Sequence, residues 1–336
     1  MSNDERILLA HGSGGRMSQQ LIETVFRNAW SNDYLSPMLD GAVLPVSGGR
    51  LAVSTDSFVI TPIFFPGGDI GKIAIAGTVN DLVACGAVPM YLTAAFIIEE
   101  GLPLEDLQRV VQSMAAAVKD AGVRVVTGDT KVVEKGSADK LFINTTGIGF
   151  IPETIDYRPD RIEPGDVIIV TGTVGDHGLA ILAQREGLSF TTPALSDCAP
   201  LHRMGEAVRG LGSAVKCMRD PTRGGLATVL NELAGQSGRG LLVRESGIPV
   251  AAHVKGACDM LGMDPLYMAN EGKMVLIVDR NHADAVMQAL KTVPEAVNAA
   301  VIGQVVDDRG IVLMETELGA RRILGMLEGE HLPRIC

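Results

Sequence analysis

The chain has 336 residues, a formal charge of −11, and a hydrophobic content of 46% with only 4% aromatic residues. That length accommodates two domains, or one large domain, with cores built mainly from aliphatic side chains. The acidic balance disfavours a nucleic-acid partner, and no run of Lys or Arg offsets it.

Secretion and membrane insertion are also disfavoured. The N-terminus carries acidic residues where a signal peptide needs basic ones. The longest apolar stretch, 88–98, contains Pro89 and is too short to span a bilayer. Five cysteines without a C-x-x-C pair predict neither a disulfide framework nor a zinc ribbon. We therefore expect a soluble, cytoplasmic protein with reduced thiols.

Hydrophobic periodicity predicts an alternation of strands and helices in the first part of the chain. Glycines stand at positions 86 and 122, where helix C-caps belong. The predicted elements are strand 51–58, helix 70–85, strand 90–98, helix 104–121, and strands 123–127 and 141–150. Segment 151–165 is rich in Pro, Asp and Arg and marks a domain boundary.

A second cycle of elements follows this boundary. In chain order we predict strand 167–171, helices 178–186 and 201–210, strand 215–218, helix 225–236, strand 240–243, helix 250–261, strand 273–278, helix 283–290, and strands 301–306 and 311–314. The fold class is therefore α+β, with domains at 1–155 and 156–316.

The last segment, 317–336, is predicted to be a mobile tail that carries Cys336. Gly319, Gly325, Gly329 and Pro333 argue against a continuous packed element there. At roughly 3.3 Å per residue, the extended tail could reach on the order of 60 Å. Cys336 is thus a candidate carrier thiol, and an ordinary frayed terminus is the alternative. A terminal cysteine does not match a prenylation signal.

A glycine-rich loop occupies positions 12–15, followed by Arg16. The amides of Gly12, Ser13, Gly14 and Gly15 could wrap phosphate oxygens, but a purely structural turn fits equally well. The loop is neither a Walker A motif nor a dinucleotide fingerprint.

Several aspartates lie among small or apolar neighbours, where an isolated charge is costly. Carboxylates grouped around Mg²⁺ would be compensated, since Mg²⁺ prefers carboxylate and phosphate oxygens. The candidate ligands of a magnesium–nucleotide site are Asp40, Asp56, Asp81, Asp129 and Asp220. For any one of them, the alternative is a turn or a helix cap.

We favour a functional role for Asn80 and Asp81. They lie within an apolar predicted helix, and helix propensity does not explain the presence of either residue there. Lys131, which follows Asp129 and Thr130, could offer a positive charge to phosphates. Glu271 could act as a general base. Both could equally be solvated loop charges.

The segment Asp220-Pro221-Thr222-Arg223-Gly224-Gly225 opens a predicted helix. Its amides and Arg223 could therefore converge on anionic groups. His177 could shuttle protons, but a loop histidine without an identified partner is more often structural or solvated. Cys85, Cys217 and Cys258 are expected to pack in cores, and the role of Cys198 stays open.

These motifs together resemble the aminoimidazole ribonucleotide synthetase-like, or PurM-like, superfamily of ATP-binding enzymes. The resemblance rests on the glycine loop, Asp40, Ser54-Thr55-Asp56, Asn80-Asp81, the segment 127–131 and the segment 220–225. With its closing Pro333-Arg334-Ile335-Cys336, the chain is similar to the carbamoyl dehydratases of [NiFe]-hydrogenase maturation. The glycine loop lacks the Cys and Lys expected of a selenophosphate synthetase.

The resemblance implies a two-domain architecture, with an N-terminal domain that dimerises and binds ATP and Mg²⁺ near the dimer interface. It implies nucleotide contacts by the glycine loop and by Asn80, Thr130, Arg223, Gly224 and the five aspartates. A carbamoyltransferase of the HypF type would load a carbamoyl group onto Cys336. ATP-dependent dehydration, with Glu271 and Lys131 as the base, would give a thiocyanate for a HypC–HypD-type scaffold.

Two alternatives remain open from the sequence. One is another ATP-dependent PurM-like enzyme with a small diffusible substrate and an irrelevant tail. The other is a non-catalytic scaffold that presents Cys336 and uses ATP as a conformational ligand.

Overall fold

A computed structural model describes residues 15–21, 23, 42–188, 190, 192–327 and 334–336. Among the described residues, no helix is both long enough and apolar enough to cross a membrane. The predicted α+β fold class with two domains is confirmed.

The first domain is a five-stranded sheet with two long helices. Its elements are α1 (Arg16–Leu21), β1 (Ala42–Val46), β2 (Gly49–Phe58), β3 (Phe64–Phe65), β4 (Gly68–Asp69), α2 (Ile70–Ala84), β5 (Val88–Glu99), α3 (Leu104–Ala121), β6 (Arg124–Val133) and β7 (Leu141–Ile151). The sheet has the strand order β1-β2-β7-β5-β6, and only the β5–β6 pair is parallel. Strand β7 alternates buried and half-buried residues, as expected for a sheet with one covered face.

Helix α2 is the centre of the molecule. All of its residues are buried except Lys72 and Asp81, because it packs on β2 and β7 and also reaches elements of the second domain. A helix that is apolar on all sides belongs in such an interior. Helix α3 covers α2 with a single stripe and ends at Gly122 in the left-handed conformation, as predicted.

The second domain is built on a seven-stranded sheet. Its elements are β8 (Val167–Val170), α4 (Asp176–Glu186), α5 (His202–Arg209), β9 (Val215–Arg219), α6 (Gly225–Ser237), β10 (Arg239–Arg244), α7 (Ala252–Leu261), β11 (Val275–Val278), α8 (Ala283–Leu290), β12 (Ala300–Arg309), β13 (Val312–Glu315) and β14 (Arg321–Ile323). The strand order is β14-β13-β10-β12-β8-β11-β9. The side chains of β11 are all buried, since the sheet carries apolar clusters on both faces.

Residues 317–327 partly belong to the second domain in this structure. Strand β14 pairs with β13, and Leu324 and Leu327 are buried. The Leu327 main-chain oxygen accepts a hydrogen bond from the Arg16 amide at 3.4 Å. That the segment 317–336 is a mobile tail stays a prediction.

The hydrophobic periodicity did not predict the two shortest strands or the edge strands β1 and β14. Strands β3 and β4 have two residues each, which is too short to show alternation, and β14 lies within the glycine-rich tail segment. Strand β6 extends to Val133, because it pairs with β5 along that whole length.

Candidate active site

The candidate site lies between the two domains. Strand β2, the loop after β9, and the loop before β11 meet the last three residues of the sequence there. Ile335 and Cys336 belong to the same apolar cluster as α2, and Cys336 is only 8% exposed. The structure thus places the proposed carrier thiol inside its own chain.

The environment of Cys336 disfavours the thiolate form of its side chain while it is docked. Burial is the main cause that raises its pKa to about 12, and the charges of Glu271 and Asp56 add to this. Arg223 opposes the shift, because its Nε donates a hydrogen bond to the Cys336 Sγ at 3.2 Å. A thiol with this pKa contains little thiolate near neutral pH.

Arg223 links the sulfur to the first domain. Its Nη2 lies 3.9 Å from Asp56 Oδ1, and both side chains are partly exposed. Burial raises the pKa of Asp56, whereas Arg223 and the Ser57 amide oppose this shift. The guanidinium therefore lies between a carboxylate and the sulfur that we expect to carry the substrate group.

Glu271 is the strongest candidate for an acid–base group. Burial raises its pKa well above the ordinary value, and the negative charges of Asp220, Asp197 and Asp56 raise it further, whereas Arg223 lowers it. Its Oε1 is buried and accepts no hydrogen bond from the described residues. A buried carboxyl with a raised pKa and an unused oxygen suits proton transfer.

The loop that carries Glu271 is fixed by Asp197. The Asp197 carboxylate accepts hydrogen bonds from the amides of Glu271 at 3.0 Å and Gly272 at 3.3 Å. It also pairs with Lys273 at 3.3 Å. Gly272 allows this close approach, because a Cβ there would lie 1.9 Å from the Asp197 main-chain oxygen.

Asn80 joins the two domains. Its Nδ2 donates to the main-chain oxygens of Ala199 at 3.1 Å and Glu271 at 3.2 Å, and its Oδ1 accepts from the Leu201 amide at 2.7 Å. The side chain is 2% exposed. These contacts give Asn80 a structural role that explains its place in an apolar helix, and its expected nucleotide contact stays a prediction.

Asp56 and Asp81 both lie where β2 packs on α2. Ser54 Oγ donates a hydrogen bond to Asp81 Oδ2. A Cβ added to Gly77, one helical turn before Asp81, would lie 3.6 Å from Asp56 Oδ2. Asp220, which follows β9, is buried and acts on Glu271 from the second domain.

Helix α6 begins next to Arg223, as the sequence predicts for this glycine pair. Gly224 and Gly225 have φ values of +73° and +63°, and no side chain of the described residues caps the helix at Gly224. The Thr228 Oγ1 in its first turn is buried without a hydrogen-bond partner among the described residues. First-turn amides and this hydroxyl form a donor set that fits an anionic group.

Asp129, Thr130 and Lys131 lie elsewhere, on the edge strand β6. All three are exposed, and Lys131 Nζ bonds both Asp129 carboxylate oxygens at 2.8 Å. In the strand register, Asp56 lies opposite Thr145, Thr145 lies opposite Ala94, and Ala94 lies opposite Gly128. The side-chain positions of these four residues are therefore on one face of the sheet. Asp129 and Lys131 point to the other face, and the structure of one chain does not bring them to Asp56.

Four predicted site residues, Gly12, Ser13, Gly14 and Asp40, lie outside the described residues. Gly15 is described, has a φ of +85°, and packs so closely on Leu327 that a Cβ would lie 2.4 Å from the Leu327 oxygen. Across the described ranges, no three His, Cys, Asp or Glu side chains are placed to hold a metal ion. The described acids of one chain therefore do not fit a magnesium site by themselves.

Comparison with known proteins identifies the family. Residues 39–151 match the model "AIR synthase related protein, N-terminal domain", and residues 163–315 match the corresponding C-terminal domain. The carbamoyl dehydratase HypE of Rhizobium leguminosarum bv. viciae is 50% identical over 333 residues, which cover 98% of this chain and 95% of that protein. The chain belongs to the HypE family of carbamoyl dehydratases. The predicted enzyme class is thereby confirmed.

Solved HypE structures agree with this assignment. A HypE–HypF complex has a TM-score of 0.88 at 48% identity and covers 91% of this chain and 99% of its own. A HypE structure in complex with ATP has a TM-score of 0.83 at 49% identity, covering 98% of this chain and 100% of its own. The PurM-like fold and a place in hydrogenase maturation follow from these relatives.

The sequence singled out His177 but could not identify its partners. The residue is fully buried in the first turn of α4, where Nδ1 lies 2.8 Å from Ser196 Oγ and Nε2 lies 2.7 Å from the Ile335 oxygen. These partners are 19 and 158 positions away in sequence, so no local signal could identify them.

Proposed function

We propose that this enzyme uses ATP to dehydrate an S-carbamoyl group on Cys336 to a thiocyanate, which supplies cyanide ligands to the hydrogenase iron. The observation that carries the proposal is the docked position of Cys336, whose sulfur contacts Arg223 and lies within the field of the buried Glu271. In this arrangement the substrate group is attached to the enzyme's own sulfur.

The raised pKa of Cys336 argues that loading occurs elsewhere. A buried thiol with a pKa of about 12 is a poor nucleophile, so it would not take up a carbamoyl group while docked. A tail that leaves the site would regain ordinary thiol reactivity. A HypF-type carbamoyltransferase is the expected partner for that step, in agreement with the solved HypE–HypF complex.

The docked group would meet residues suited to removing water. Both nitrogen protons of the carbamoyl group must leave when the nitrile forms. We assign the unused Oε1 of the ionised Glu271 as the acceptor of one proton, and the departing phosphate takes the other. Arg223 would hold the sulfur and orient the group. Lys131 would join this machinery only if a second chain brought it there, because it lies on the far face of the first domain's sheet.

ATP supplies the phosphoryl group that turns the amide oxygen into a leaving group, since phosphate leaves far more readily than oxide. The donor set at the start of α6, with Arg223, fits its anionic oxygens. The glycine loop, Asp56, Asp81 and the remaining predicted contacts stay part of the proposal, supported by the HypE–ATP complex. Mg²⁺ also stays part of the proposal as the ion expected to accompany ATP, and groups other than the described acids of one chain would have to complete its site.

A homodimer through the first domains is also part of the proposal. Strand β6 pairs with β5 on one side, and no strand of the described residues covers its other edge. Val126 and Val132 on this edge are 57% and 68% exposed. Exposed apolar edge strands invite pairing with another chain. Such pairing would place Asp129, Thr130 and Lys131 at the interface.

A diffusible substrate is the competing hypothesis for the same enzyme class. It is disfavoured because residues 334–336 occupy the space beside Arg223 that such a substrate would need. The test is ATP turnover by Cys336→Ala in the presence of a HypF-type carbamoyltransferase and carbamoyl phosphate, corrected for the transferase alone. We expect turnover attributable to this enzyme to vanish, and undiminished turnover would refute the proposal.

The scaffold that receives the cyano group is expected to be of the HypC–HypD type.

A further inference from the structure

The last three residues are held mainly through their main chain. The Val59 amide donates to the Cys336 oxygen at 3.2 Å, and the Thr61 amide donates to the Arg334 oxygen at 3.2 Å. Alternate residues on two segments are thus paired as in a short β-ladder. The remaining carbonyl of this segment, that of Ile335, faces the second domain.

His177 binds that carbonyl in one defined tautomer. Burial lowers the pKa of His177, which keeps the ring neutral. A carbonyl only accepts, so Nε2 carries the proton and donates to Ile335 at 2.7 Å. Nδ1 then accepts from Ser196 Oγ at 2.8 Å, while the same oxygen accepts from the Cys198 amide at 3.1 Å. Each hydrogen bond from the Cys198 amide through Ser196 and His177 to the Ile335 oxygen therefore has a defined donor and acceptor.

Arg185 adds a second contact from α4. Its Nη2 donates to the Arg334 oxygen, and its Nε donates to the Thr61 oxygen. One guanidinium therefore joins the two paired segments. All three main-chain oxygens of residues 334–336 accept hydrogen bonds from side chains or amides of the folded domains.

Within residues 334–336, the charged side chain of Arg334 is recognised as well. Its Nη1 lies 2.5 Å from Asp139 Oδ2, and its Nε donates to the Val59 oxygen at 3.2 Å. The hydrogen bond to Arg334 is the main cause that lowers the pKa of Asp139. Arg334 has a φ of +54°, a conformation that a non-glycine residue keeps only when its surroundings hold it there.

We propose that Val59, Thr61, Asp139, His177 and Arg185 form a peptide slot that recognises the sequence Arg-Ile-Cys through its main-chain oxygens and the arginine side chain. His177, Arg185 and Asp139 are its positioning residues. The slot makes its contacts without the Cys336 side chain, so it accepts the tail whichever group the sulfur carries. Val59, Thr61 and Asp139 come from the first domain, whereas His177 and Arg185 come from the second.

A consequence rests on the proposed function. Loading requires the tail outside the slot, whereas dehydration requires the tail inside it. Weakening the slot must therefore change the two steps in opposite directions. A residue that merely stabilised the fold would not speed one step while slowing the other.

The slot itself is tested without any carbamoyl chemistry, by the rate at which iodoacetamide alkylates Cys336 in the full chain. Intact mass gives the rate, and peptide mapping separates Cys336 from the four other buried cysteines. Loss of one partly exposed ion pair in Asp139→Asn should raise the rate about two- to fivefold. Arg334→Ala also loses the contact with Val59 and should raise it about tenfold.

Asp307→Asn is the matched control, because Asp307 pairs with Arg239 at 3.3 Å on the surface, away from the tail. Its alkylation rate should equal that of the wild type. Arg334→Ala changes only the tail, so it keeps the test valid even if a substitution at the buried His177 prevents folding. Equal rates in wild type, Asp139→Asn and Arg334→Ala would overturn the slot.

The two reaction steps are then measured separately by mass in the same variants. We expect carbamoyl uptake in Arg334→Ala to be faster than in wild type, and water loss to be about tenfold slower. If the variants are alkylated faster but even the wild type loses no water, the slot is supported and the proposed dehydration is refuted. Water loss at the wild-type rate in Arg334→Ala would overturn the slot's role in positioning Cys336.

Discussion

Replacing Glu271 by Gln removes the proposed base while conserving its shape. The carboxyl is buried, its Oε1 has no partner among the described residues, and its amide is anchored by Asp197. The substitution should therefore leave the loop in place. A positioned general base contributes roughly 10²- to 10⁴-fold to a rate, so water loss should slow by about that factor. Binding of ATP and uptake of the carbamoyl group should be unchanged.

The assay is a single turnover of pre-carbamoylated enzyme, followed by intact mass after ATP addition. Glu295→Gln is the matched control, because Glu295 also has a buried oxygen without a partner in the described part of the chain, but it pairs with Arg203 instead of facing the site. Its rate should equal that of the wild type. Water loss in Glu271→Gln within threefold of wild type would refute the assignment.

The same substitution makes a prediction about stability and pH. The folded-state pKa of Glu271 lies above its ordinary value of 4.5, so the folded protein holds the proton to higher pH than the unfolded chain. Stability is then lost as pH rises from that value towards the folded-state pKa, by about 1.4 kcal/mol for each unit of difference. The Tm of Glu271→Gln relative to wild type should increase from pH 5 to pH 8. A constant or falling difference would show that its surroundings do not raise the pKa of Glu271.

Three other changes test the site and the assembly. Asn80→Ala should lower the free energy of unfolding by about 2 to 3 kcal/mol in urea titrations, because its buried partners lose their hydrogen bonds. A loss below about 0.5 kcal/mol would contradict the role of Asn80 in joining the two domains. Gly272→Ala should slow water loss at least about tenfold by displacing Glu271, with Gly256→Ala, which has open space around it, unaffected. Val132→Glu should convert a dimer into a monomer in light scattering, and an unchanged mass would refute the β6 interface.

Patterns within single elements could be predicted from the sequence. The apolar run that became α2, the amphipathic stripe of α3 and its glycine cap at Gly122 all depend on neighbours within a few residues. The grouping of Glu271, Asp220 and Arg223 near the thiol of Cys336 agrees with the motifs selected from the sequence.

The arrangement of residues between elements could not be predicted in the same way. Asp129 and Asp56 both lie among small or apolar neighbours in the sequence. Only the strand register shows that they lie on opposite faces of the sheet. The sequence could not show the hydrogen bonds of Asn80 to the second domain, and its nucleotide contact stays a prediction. The hydrogen bond of His177 to the Ile335 oxygen joins residues that are far apart in sequence, so it could not be predicted.

The central claim is that Cys336 carries the group that is dehydrated. The most direct measurement is the mass of the peptide containing Cys336 after carbamoylation by a HypF-type enzyme, before and after addition of ATP. We predict a gain of one carbamoyl group on Cys336, followed by the loss of one water from the same residue. A carbamoyl group that stays intact on Cys336 in the presence of ATP, or that is found on another residue, would contradict the account.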